Sequence, residues 1–119
     1  MTTVLRGSDN FDTYKSFTSS PLTITNNSIH SAEHGLGAVP NKISGYLVCV
    51  IANGSFEVGD IMPVPASRSA AGTSTSTYNF DMRANATTVY AALNNNGIVC
   101  VFDGLLTNSN FSLVLKAEL

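Results

Sequence analysis

The C-terminal segment alternates strictly. Phe111, Leu113, Leu115, Ala117 and Leu119 fall in one register, and Ser112, Val114, Lys116 and Glu118 in the other. A period of two is the signature of a strand, whose successive side chains leave opposite faces of a sheet. Tyr78, Phe80 and Met82 alternate in the same way with Asn79, Asp81 and Arg83. Both segments read as half-buried strands with one wet face. Ile43–Ile51 and Ile98–Phe102 are apolar in both registers and read as central strands covered on both sides.

The punctuation agrees with extended structure. Asn53-Gly54 follows the run Tyr46–Ile51 and precedes Ser55–Val58, while Asn96-Gly97 parts Thr87–Leu93 from Ile98–Phe102. Asn-Gly supplies the positive φ angles that two-residue hairpins need. Asp103-Gly104 and Thr107–Asn110 mark further reversals, and residues 65–77 form a long Ala/Ser/Thr/Gly-rich loop. No capped segment of helical period stands out. The expected fold is all-β, an antiparallel β-sandwich or jelly-roll-like barrel over residues 21–119, preceded by an extended N-terminal arm, residues 1–20.

Composition narrows the function. A chain of 119 residues with 44% hydrophobic side chains is one domain able to bury a core. Only 12% of its residues are charged, and the net charge is −2. Arg6, Lys15, Lys42, Arg68, Arg83 and Lys116 are scattered and form no basic stripe, so direct nucleic-acid binding is not expected. Residues 1–20 carry no apolar run of the signal-peptide kind, and no stretch approaches the ~18 apolar residues of a membrane span. Asn26, Asn53, Asn85 and Asn110 open Asn-x-Ser/Thr triplets, which read as by-products of Asn-rich turns.

Catalytic patterns are not found. His30 and His34 are spaced as on a zinc-binding helix, but Gly35 and Gly37 follow at once and make the segment a turn. His34 is expected to bond the backbone of that turn. Glu33, Glu57, Asp60, Asp81 and Asp103 are dispersed, and Asp60 after Gly59 reads as a turn residue. Ser is abundant without a Gly-x-Ser-x-Gly elbow. Cys49 and Cys100 lie inside apolar runs and read as buried thiols, with a disulfide between them left open. No cofactor, metal or catalytic residue is expected.

The run His34-Gly35-Leu36-Gly37-Ala38-Val39-Pro40, the strand after it, Phe56-Glu57-Val58-Gly59-Asp60 and the alternating last strand occur in an order that resembles a β-rich module of bacteriophage virion proteins, of the tail-fibre and capsid-decoration type. The similarity covers residues 28–118, with Ser55 where the module has Gly and Phe111 where it has Trp. His34, Gly35, Gly37, Pro40, Gly59 and Asp60 are then structural turn residues. The resemblance implies a non-enzymatic virion protein assembled in the host cytoplasm. The leading expectation is a capsid decoration (cement) protein, a homo-oligomer of trimeric type that binds the major capsid protein or other virion proteins and touches neither membrane nor nucleic acid. The alternatives are a tail-fibre, head-fibre or baseplate component meeting a host-surface glycan through Tyr78, Phe80 or Tyr90, and a carbohydrate-binding or cupin-like domain. Val4, Leu5, Phe11, Tyr14 and Phe17 are the apolar interface candidates of the arm, and Arg68–Thr77 is a second candidate surface.

Overall fold

A computed structural model describes residues 15–64, 80–95, 97–100 and 103–119. Val4, Leu5, Phe11, Tyr14, the loop 65–77, Tyr78 and Asn96 lie outside the described residues. The protein is all-β, two antiparallel sheets packed as a sandwich. Strands β1 (Ser16–Thr18), β2 (Ser28–Glu33), β3 (Lys42–Cys49), β4 (Ile61–Val64), β5 (Phe80–Ala84) and β6 (Thr88–Leu93) are followed by a small ribbon of β7 (Val99–Cys100) and β8 (Gly104–Leu105), a 3-10 turn at Asn108–Asn110, and β9 (Phe111–Glu118). The first sheet has the order β1-β9-β3-β4 and the second β2-β6-β5.

Side-chain alternation decides which faces meet. In β9, Phe111, Leu113, Leu115 and Ala117 point inward and are buried. They lie opposite Cys49, Leu47, Gly45 and Ile43 of β3. From the second sheet, Phe80, Val89, Ala91 and Leu93 close the core from the other side. Apolar area removed from water at roughly 25 cal/mol per Å² is what holds the two layers together.

Ser16–Thr18, near the end of the segment expected as an arm, form a strand of the sheet. Phe17 lies opposite Ala117 in β1 and packs half-buried against the core. The ladder along β9 is interrupted at Pro21, which has no N–H to offer. Ser19 repairs it twice. Its backbone N–H donates to Leu115 O at 2.8 Å, and its Oγ accepts the Leu115 N–H at 2.9 Å. Pairing then resumes at Leu22, opposite Leu113.

Three expectations are corrected. Ile98–Phe102 reads as a central strand in the sequence. Among the described residues of that run, Val99 and Cys100 pair with Leu105 and Gly104 in a two-stranded ribbon outside both large sheets. Ile98 and Leu106, which flank the ribbon, are buried in the core. Ser55–Val58 is a turn region and not a strand, and the strand that follows is β4, whose Pro63 masks its pattern. The β3 and β9 outer faces differ from their readings as well. In β3, Lys42 and Ser44 are exposed and Tyr46 and Val48 only half-covered, while in β9 the outward Val114 is buried.

Asn53-Gly54 also works differently from the expected turn. Asn53 pairs with Phe56, so Gly54 and Ser55 are the central residues. Gly54 has φ 57° and Asn53 is not in the left-handed region. This is the arrangement with glycine first, a type II′ hairpin. A Cβ at Gly54 would also stand 2.8 Å from Asp103 Oδ1.

Replacing Ser19 by Ala should leave the buried Leu115 N–H without its acceptor, at a cost of about 1–3 kcal/mol. Urea unfolding of Ser19→Ala measures this, and an unchanged midpoint would contradict the role given to the hydroxyl.

Candidate interaction surfaces

The segment His34–Pro40 carries the chain from β2 in one sheet to β3 in the other. A corner of this kind strips the backbone of ladder partners, so other groups must satisfy it. His34 does much of this. Its Nδ1 accepts the Leu36 N–H at 3.1 Å, and its Nε2 donates to Asn85 O at 2.8 Å. The imidazole thereby ties the corner to the β5–β6 turn. Gly35 and Gly37 have φ 65° and 86°, Leu36 is driven into the core, and Pro40 is half-buried just before Asn41 N–H bonds Glu118 O.

Asn85 is the partner that sequence reasoning missed. Its Oδ1 accepts the N–H groups of Thr87 and Thr88 at 2.9 and 2.8 Å, closing the turn whose carbonyl His34 uses. The signal was present as an Asn followed by Thr-rich sequence, a common side-chain-to-backbone turn.

His30 is a second locked imidazole. Its Nε2 accepts the Thr25 N–H at 2.9 Å, and its Nδ1 donates to Ala91 O at 3.1 Å. Phe80 meets it edge-on, with ring centres 6.0 Å apart. Both rings spend both nitrogens on backbone, in opposite tautomers, and present no lone pair to a substrate or metal.

Gly59 and Asp60 form a glycine-first β-bulge. Gly59 N–H donates to Cys49 O, and Cys49 N–H donates to Asp60 O, each at 2.8 Å. Gly59 has φ 98°, which such a bulge requires. Asp60 Oδ2 accepts the Glu57 N–H at 2.9 Å and holds the preceding turn. Asp103 clamps the neighbouring hairpin by accepting both the N–H and the hydroxyl of Ser55. Among the described residues no group of three or more His, Cys, Asp or Glu is placed to hold a metal ion. Cys49 is a free buried thiol, its Sγ 3.1 Å from Ile51 O.

The bulge aims the β3–β4 hairpin and leaves its outer face apolar. Tyr46 stands opposite Pro63 and Val48 opposite Ile61. Ile61 is 61% exposed, and Val50, Ile51 and Val58 at the same end of the hairpin are 43%, 56% and 67% exposed. Single exposed aliphatics are ordinary, but here one on the outer sheet face and three in the adjoining turn region lie at one end of the hairpin. Direct edge pairing is blunted there. The bonds at Cys49 put Ile61 and Pro63 in the positions facing away from β3, and Pro63 has no N–H to give. No family model matches the chain, and no curated protein or solved structure matches it.

Nitrogen-15 spectra of the neutral imidazoles should show His30 as the Nδ1–H tautomer and His34 as the Nε2–H tautomer. The same tautomer for both, or rapid averaging, would contradict the corner described above.

Proposed function

We propose that the protein is a non-enzymatic structural protein of a bacteriophage virion, a capsid decoration protein that joins copies of itself at the shell surface. The observation that carries this reading is the apolar outer face of the β3–β4 hairpin, from Tyr46 and Val48 across to Ile61 and Pro63. A face of this type needs a partner surface, and a second copy of the chain in a closed homo-oligomer, a trimer, supplies it. The fold supports the assignment as well. Four side chains with acid–base chemistry, His30, His34, Asp60 and Asp103, are engaged in holding turns and corners. The order of motifs that resembles the phage module gains a physical meaning, since its His-Gly-Leu-Gly-x-x-Pro run is the inter-sheet corner and its Gly-Asp is the bulge beside the apolar face. Phe111, where the module has Trp, opens β9 and packs edge-on to Phe56 at 5.4 Å. Val4, Leu5, Phe11 and Tyr14 are the proposed anchors onto the major capsid protein, and repetition over a symmetric shell strengthens each weak contact by avidity.

Electron microscopy of phage particles with and without this protein tests the location. Knobs missing from the shell support the reading, and density missing from the tail or baseplate instead assigns the protein to host attachment. Sedimentation equilibrium tests the surface. The wild-type chain should be oligomeric, and Ile61→Glu, a change on the outer face of the sheet, should be monomeric with the wild-type circular dichroism spectrum. An Ile61→Glu oligomer as tight as wild type would contradict the proposed contact.

A further inference from the structure

The outer face of the second sheet, β2-β6-β5, has a different character. Its cross-strand rows follow from the register. Ile29, Ala92 and Asp81 stand side by side, and Ser31, Tyr90 and Arg83 form the next row. Ala92 is the small residue between two larger ones, so the first row is a depression. It opens as a cleft of about 560 Å³ lined by Asn27, Ser28, Ile29, Asp81, Ala92 and Asn94, among others. That lies within the ~300–1,000 Å³ typical of small-ligand sites, and two inter-strand spacings make the row roughly 10 Å wide.

From this geometry we infer that the cleft is a shallow binding site for a neutral saccharide. A sugar ring demands two kinds of contact at once. Its C–H face needs an apolar floor, and its equatorial hydroxyls need acceptors and donors around the rim. Ile29, 70% exposed, and Ala92 give the floor. Asp81, which has no hydrogen-bond partner among the described residues, accepts two neighbouring hydroxyls, and Asn27 adds an amide at the end of the cleft. Tyr90, half-buried on the same face and reached by Asn85 Nδ2 at 3.5 Å, extends the platform by one residue row beside Arg83.

Other ligand classes fit less well. A phosphate or carboxylate would meet Asp81 at the mouth. A metal ion would find one carboxylate and an aliphatic floor, and the described residues hold no metal-ligand cluster. A polyol with one apolar face matches both halves of the surface. The site lies on the sheet opposite the proposed assembly face, so ligand and oligomer do not compete.

The test is titration of the isotope-labelled full chain with a panel of neutral and N-acetylated mono- and disaccharides, followed by amide shifts. At least one sugar should move Ile29, Asp81 and Ala92 together. Asp81→Ala should weaken that sugar at least about tenfold, the value of a charge-assisted hydrogen bond. Ala92→Leu, which fills the cleft from the outer face, should abolish binding. Both variants should keep the wild-type circular dichroism and sedimentation, which separates this result from the oligomer test. No response to any sugar at tens of millimolar would overturn the inference. So would shifts confined to other residues, or equal binding by both variants.

Discussion

The antiparallel ladder between β3 and β9 is the constraint on which the rest of the structure depends. It runs from Phe111 opposite Cys49 to Glu118 opposite Lys42 without a break. Every inward side chain of β9 from Phe111 to Ala117 is buried. Because the side-chain period is two, a slip of one residue would turn that whole set to water and bring Ser112, Lys116 and Glu118 inside. Register is therefore strongly specified, and β1 and β4 inherit it by pairing with the two sides of this ladder. The ladder also joins the end of the chain to its middle, so much of the core depends on contacts far apart in sequence.

Around this ladder, polar side chains act as fasteners. Ser19 completes a broken edge, His34 fixes the corner between sheets, His30 ties Thr25 to β6, and Asp60 and Asp103 hold two adjoining turns. Buried polar atoms persist only when their hydrogen bonds are made. Among the described residues, the two outer sheet faces are surfaces open to partners. One is apolar around Ile61, and the other mixes Asp81 and Arg83 with Ile29 and Tyr90. The different composition of the two faces is the physical basis for assigning assembly to the first and ligand contact to the second.

Much of the fold was legible because β3, β6 and β9 carry long apolar or alternating runs. What escaped has identifiable causes. Pro63 hid β4, since proline argues against an interior strand and here occupies an edge. Ser28 and His30 hid β2, because the inward position of His30 makes sense only with Ala91, 61 positions away, as its acceptor. The stretch from Ile98 looked central because a residue buried beside a short ribbon and one in a doubly covered strand are equally apolar. The turn roles of His34, Gly59 and Asp60 were readable from short motifs, and the local turn at Asn85 had its own signal, but the bond between His34 and Asn85, 51 positions apart, had none. The apolar face around Ile61 was missed because exposed and buried aliphatics look alike until register tells them apart.

Whether the β3–β4 outer face is where the protein meets its partner decides the proposed function. Hydrogen–deuterium exchange of the protein, free as dilute chain and then seated on phage particles, reads this directly. Added protection concentrated in the segment from Tyr46 to Pro63 is the result the account predicts. Added protection confined to β2, β5 and β6, with the β3–β4 hairpin exchanging as before, would contradict it.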